Sequence, residues 1–149
     1  MIVGEAQICT LTNLVWTTVL KSDVKFVDTP GTLGGGKYIA AKVDVIGSWN
    51  GSVMVGCSHA LARRTAGKMF GMPADAISLE ELRDAIGEVA NIIGGNVKTL
   101  IAGKARLSLP VVSEIDDQSV FAVSEKHRMN VWFESEGERF VVQLVTAAG

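Results

Sequence analysis

Glu88 and Asn91 stand three residues apart in a segment whose polar residues recur at helical spacing. A carboxylate attracts cations and accepts hydrogen bonds, whereas a carboxamide both donates and accepts without carrying charge. Side chains three apart on a helix are neighbours, so the pair can address one target. Between Ser78 and Gly103, Glu81, Asp84, Glu88, Asn91, Gly95 and Lys98 fall on one face, and Leu82, Ile86, Val89, Ile93, Val97 and Leu100 on the other. Gly94 and Gly95 follow within a turn of Asn91, although each glycine lowers helix stability by about 1 kcal/mol. A solvated face usually carries scattered long charges. A carboxylate, a carboxamide and two glycines instead predict a face that meets a partner. Composition alone also admits a plainer reading, with Glu88 solvated and Asn91 a tolerated polar residue. Asn96 lies about 140° round the helix from Asn91, near the Val89 side, and is expected to be a buried amide bonded to backbone.

The helix carrying these residues has clear start and stop signals. Ser78 with Glu81 three residues on forms a capping box, and Gly103 is placed to end the helix. Upstream, residues 5–20 fit an amphipathic helix with Ile8, Leu11, Val15 and Val19 on one side, weakened by four threonines. Val24–Asp28 reads as a short extended piece, and residues 28–37, rich in glycine around Pro30, as a loop. Ile39, Ala41, Val43 and Val45 alternate with Ala40, Lys42 and Asp44, the period of a strand. Asn50-Gly51 predicts a tight hairpin with positive φ at both residues, returning through Val53–Cys57. Ser58 is a good N-cap for a helix to about Phe70, with Leu61, Ala62, Thr65 and Met69 at helical spacing, ended by Gly71 and Pro73. After the long helix, strands are expected around Arg106–Leu109, 119–123, 129–134 and Arg139–Val145. Pro110 should mark an edge or strand end, and Glu136-Gly137 a turn. The expected fold is α+β, one mostly antiparallel sheet with the long helix and two others packed on it.

Familiar chemistries fail one by one. Gly31, Gly36 and Lys37 have part of the spacing of a phosphate-binding loop, but Tyr38 replaces the Ser or Thr hydroxyl and a strand follows where a helix is required. No HExxH, GxSxG or Cys/His cluster is present, and His59 and His127 read as ordinary surface or cap residues. Cys9 and Cys57 lie far apart and are expected to be buried free thiols. The chain has 149 residues, 48% apolar and 20% charged, enough for one domain with its own core. A formal charge of −2 offers no basic surface for nucleic acid. No apolar run is long enough to span a membrane, and the N-terminal residues lack the basic start of a signal peptide. A cytoplasmic protein is expected.

Glu88-Val89-Ala90-Asn91, set in DAIGEVANIIGGNVKTLI, resembles the active-site helix of CheX-type chemotaxis phosphatases, relatives of CheC and FliY. Val45-Ile46-Gly47 with Gly51-Ser52-Val53 resembles that family's central hairpin. Lys68–Gly71 is similar to its second helix and Leu107–Val112 to its following strand, so the likeness covers most of residues 40–145. It implies a CheC-like fold and removal of the phosphoryl group from the phospho-aspartate of a CheY-like response regulator. The regulator would supply Mg²⁺ and a lysine, and this chain no cofactor. Asn91 would orient the attacking water, because a carboxamide places a donor and an acceptor without repelling the phosphoryl group. Glu88 would pair with the regulator's lysine. Asp84 would be a supporting contact, Gly94 and Gly95 would let the partner backbone approach, and Lys98 completes the partner-binding set. A homodimer is likewise implied. One departure is visible: Pro110 lies nearer to Asn91 than the proline of the CheC/FliY pattern. The alternative is a non-catalytic module of the same kind that only holds a regulator or another signalling domain.

Overall fold

The long helix α3 (Leu79–Thr99) lies across the inner face of a sheet whose central strands are β2 (Tyr38–Gly47) and β3 (Gly51–Ser58). The computed structural model describes residues 3–28, 33, 36–116 and 128–147. Sheet order is β1-β6-β7-β3-β2-β4, with β5 also paired to β2, and every pairing is antiparallel. Here β1 is Lys25–Val27, β4 Ala105–Leu107, β5 Val111–Ile115, β6 Arg128–Ser135 and β7 Glu138–Thr146. The period-two pattern of β2 sends Ile39, Ala41, Val43 and Val45 inward, where each is at most 1% exposed. On them pack Ile8, Leu61, Ala62, Leu82, Ile86, Val89, Ile93 and Val97 from the helices. The opposite face carries a smaller apolar cluster around Tyr38, Ala40, Trp132 and Val141, with Leu33 against it. The α+β architecture is the expected one. The strand expected at 119–123 and His127 lie outside the described residues, as do 29–32 and 34–35 of the glycine-rich loop, Gly31 among them.

Local departures have identifiable causes. The first helix, α1 (Glu5–Leu14), widens into a π turn at Val15–Val19. The extra residue in that turn rotates the apolar side. Leu20 is therefore buried, with Trp16 in the turn, and Val19 is 43% exposed, contrary to the helical spacing; Thr12, ahead of the turn, is already buried where Leu11 is half-buried. The hydroxyls of Thr17 and Thr18 donate to the carbonyls of Asn13 and Leu14, the back-bonding that bends helices. Trp16 then stacks on Phe140, centroids 4.3 Å apart, and Phe140 on Phe133 at 5.2 Å.

The β2–β3 turn is not the expected Asn-Gly type, since neither Asn50 nor Gly51 has positive φ. Instead the Asn50 side chain closes it, accepting from the Gly47 amide at 3.2 Å and donating to the Gly47 carbonyl at 3.3 Å. Gly51 serves a steric purpose: a Cβ there would sit 2.3 Å from the Trp49 ring and 2.4 Å from the Val145 carbonyl oxygen. The positive-φ pair occurs in the β6–β7 turn, at Glu136 (φ 52°) and Gly137 (φ 81°).

Helix α2 (His59–Phe70) starts at Ser58, whose Oγ accepts from the Leu61 amide at 3.1 Å. Both bonds of the Ser78–Glu81 capping box are made, at 2.9 and 3.1 Å. Helix α3 stops at Thr99, short of Gly103. The Leu100 and Ile101 amides tighten onto the Val97 and Lys98 carbonyls. The Thr99 hydroxyl takes the Asn96 carbonyl at 2.7 Å. Gly103 (φ 93°) then turns the chain into β4. Cys9 and Cys57 are free, and only Cys57 is buried, Cys9 being half-buried.

Candidate functional site

Seven α3 residues, Leu82, Ala85, Ile86, Val89, Ala90, Ile93 and Val97, are at most 1% exposed against the sheet and α2. That burial fixes the helix rotation and so decides which side chains face out. Asp84 and Glu88 are exposed, while Asn91, Gly95 and Lys98 are half-buried along the same ridge. Among the described residues, none of the side chains of Asp84, Glu88, Asn91 and Lys98 makes a hydrogen bond or ion pair. Asn96 lies off this ridge, half-buried, its amide donating to the Ile92 carbonyl at 2.9 Å. It is structural, as its angular position predicts.

The surroundings of Asn91 are unusual. Its neighbours at three and four residues either way are Glu88, Gly87, Gly94 and Gly95. Three of these four positions carry no side chain, so the carboxamide stands clear of its own helix everywhere except toward Glu88.

Gly94 corrects the expectation that it opens the helix to a partner. It is buried, and a Cβ there would lie 2.5 Å from Val43 Cγ2, so it faces β2 and brings the helix down onto the sheet. Gly95 is different. A Cβ there would meet only Leu107 Cδ1, at an ordinary 3.8 Å. Gly87, which periodicity does not single out, would contact Val112 Cγ2 at 3.4 Å and Pro110 Cβ at 3.5 Å.

These contacts place the β4–β5 edge alongside the Asn91 flank of α3. The two strands are one edge interrupted at residues 108–110. β4 pairs with Val45–Gly47 and β5 with Tyr38–Lys42. Ser108 bridges the gap: its amide donates to the Asp44 carbonyl at 2.9 Å and its Oγ accepts from the Asp44 amide at 2.8 Å. Pro110 has no N–H to offer a ladder and sits at the interruption, as a proline in an edge strand should.

A polar clamp holds β5 to the helices. Arg83 Nη2 donates to the Val112 carbonyl at 2.9 Å and Nη1 approaches Glu114 at 3.4 Å. His59 Nε2 meets the other Glu114 oxygen at 2.6 Å. His59 is thus not an ordinary surface residue: its side chain is 14% exposed and tied to a strand. No local pattern announces this clamp, because its members are brought together only by the pairing of β5 with β2.

In chemical terms, the ridge offers carboxylates and one carboxamide to whatever approaches from outside. No group of three or more His, Cys, Asp or Glu among the described residues is arranged to hold a metal ion. No helix of the described residues is long and apolar enough to cross a membrane.

The same architecture occurs in solved proteins. CheX of Borrelia burgdorferi, solved as a CheX–CheY–BeF3–Mg²⁺ complex, is 20% identical with a TM-score of 0.73, covering 99% of this chain and 100% of that one. CheX of Vibrio vulnificus is 18% identical with a TM-score of 0.74, covering 94% of this chain and 93% of its own. CheX of Desulfovibrio desulfuricans is 21% identical with a TM-score of 0.71, covering 94% and 96%. No curated protein matches the chain in sequence. The family model described as chemotaxis phosphatase CheX matches residues 39–134, from β2 through β6 and across the whole of α3. The chain belongs to the CheX family of chemotaxis phosphatases.

Proposed function

We propose that this chain hydrolyses the phospho-aspartate of a CheY-like response regulator, using the α3 ridge as half of an active site. The observation that carries the reading is the state of Glu88 and Asn91. They are outward-facing neighbours, without partners among the described residues, on a helix whose other side is locked. Phosphoryl transfer needs chiefly an in-line water and compensation of charge, so two correctly placed side chains suffice on the phosphatase side. Asn91 orients the water through its donor and acceptor. Glu88 pairs with the regulator's lysine, and Asp84 and Lys98 flank the contact along the same ridge. Gly95 leaves room for the partner's backbone beside Asn91.

A relative of the same fold has been solved together with CheY, BeF3 and Mg²⁺. The reading assigns Mg²⁺ to the regulator and no cofactor to this chain. On family grounds it also includes a homodimer and a cytoplasmic location.

Phosphate release from a phosphorylated regulator is the test. Asn91→Ala should slow it by about 10²-fold, close to 3 kcal/mol of transition-state stabilisation. Binding of the regulator with no acceleration by the wild-type chain would leave a binding module in place of an enzyme. An Asn91→Ala variant as fast as wild type would remove Asn91 from the mechanism.

A further inference from the structure

We propose that the bulge Ser108–Pro110 is a second docking element for the phosphorylated receiver domain, with Leu109 as its apolar contact. The proposal rests on the phosphatase reading and adds a recognition residue to that same site.

Leu109 is 86% exposed, the highest value among the exposed large apolar residues of the described chain, and Val111 follows at 61%. Isolated exposed leucines are common. This one is held out by construction. Ser108 exchanges two hydrogen bonds with the Asp44 backbone, on the β2 side. Pro110 lies against Gly87, and Arg83 grips the Val112 carbonyl just beyond. The strand is therefore anchored before and after Leu109, and the side chain projects from a fixed platform. Bulges of this kind commonly re-aim a side chain beside a functional site.

Position identifies the occupant. The residues flanking Leu109 touch the helix on either side of Asn91: Pro110 at Gly87, four residues before it, and Leu107 at Gly95, four residues after. A partner seated on Asn91 has this edge as its immediate neighbour. Two polar side chains cover a small part of the roughly 800 Å² per side that a specific protein interface buries. Such interfaces place apolar anchors at their centre and charges at the rim. Leu109 supplies an apolar contact beside Glu88 and Asn91, whereas Val111, paired with Lys42, faces the other side of the sheet.

The test compares Leu109→Asp, Leu109→Met and Asn91→Ala with the wild-type chain. Phosphate release is measured over a range of phosphorylated regulator concentrations, and binding is measured to the beryllium trifluoride-activated receiver. Leu109→Asp should raise KM and Kd by about tenfold, the effect of losing one buried interface side chain, with kcat within about twofold. Leu109→Met should stay near wild type. Asn91→Ala should lower kcat instead. An unchanged thermal midpoint for Leu109→Asp excludes a folding effect. If the wild type is active and Leu109→Asp keeps its KM and Kd, the bulge is not a docking element and the phosphatase reading stands. If Leu109→Asp alters only the sedimentation coefficient, Leu109 contacts a second copy of this chain and the proposal falls. A wild-type chain that neither binds the receiver nor releases phosphate overturns both readings together.

Discussion

Gly94 and Gly95 are neighbours with opposite expected responses to a single methyl group. At Gly94 the new Cβ would sit 2.5 Å from Val43 Cγ2. Val43 is fully buried in β2, and its branched side chain has little freedom to rotate away. The helix must lift or the strand must give, at the upper end of the overpacking range, about 3 kcal/mol. Replacing glycine by alanine inside a helix returns about 1 kcal/mol. The net expectation for Gly94→Ala is a loss of about 2 kcal/mol, or about 6 °C in Tm for a chain of this size. At Gly95 the new Cβ meets Leu107 Cδ1 at 3.8 Å, ordinary contact, so only the helix gain remains. Gly95→Ala should raise Tm by about 3 °C. Urea titration of both variants, with the slope m unchanged, gives the two free energies directly. Gly94→Ala equal to or more stable than wild type would refute the packing of α3 on β2 through this contact. Under the proposed function, Gly95→Ala should also weaken regulator binding while the fold gains stability, separating the uses of the two glycines.

Three further outcomes follow from local geometry. Burial pushes the Cys57 thiol up to about 12, with Glu138 adding to the shift, and burial followed by Glu5 also raises Cys9. Thiolate is the reactive form, so a thiol-specific reagent at pH 8 should titrate Cys9 slowly and Cys57 only after unfolding. Ser78→Ala removes the acceptor for the Glu81 amide and should cost about 1 kcal/mol in urea unfolding. Ser108→Ala strips the Asp44 amide of its 2.8 Å acceptor and should cost about 1–2 kcal/mol, with faster hydrogen exchange at Asp44.

The helix that carries the site is legible in sequence because burial of one side follows a 3.6-residue period, and its start follows from a side-chain hydrogen bond that Ser78 and Glu81 spell out. The misplacement of Gly94 shows the limit of that reading. It lies on the flank of the helix, and the width of the buried arc depends on how closely β2 approaches, which periodicity does not carry. The π turn escapes for a related reason: one extra residue between Val15 and Val19 shifts the period, and Leu20 takes the buried place expected of Val19. Asn50-Gly51 misleads because the side chain of Asn50 closes the turn without positive φ. The clamp of His59, Arg83 and Glu114 and the projection of Leu109 depend on β4 and β5 sharing β2, pairings between residues 58 to 77 apart in the chain.

The bare surroundings of Asn91 carry a thermodynamic consequence. With glycine at three of its four neighbouring helix positions and no hydrogen bond among the described residues, nothing on its own helix fixes the rotamer of the half-buried carboxamide. Fixing such a side chain costs about 0.5–1.5 kcal/mol of entropy. In the proposed complex that cost falls due at docking, when the partner's surface supplies the walls the helix omits. Under the proposed function, ordering of the Asn91 amide then belongs to the encounter, and a poorly fitting regulator would leave it disordered even when bound. Selectivity among regulators would register in the rate of hydrolysis as well as in affinity.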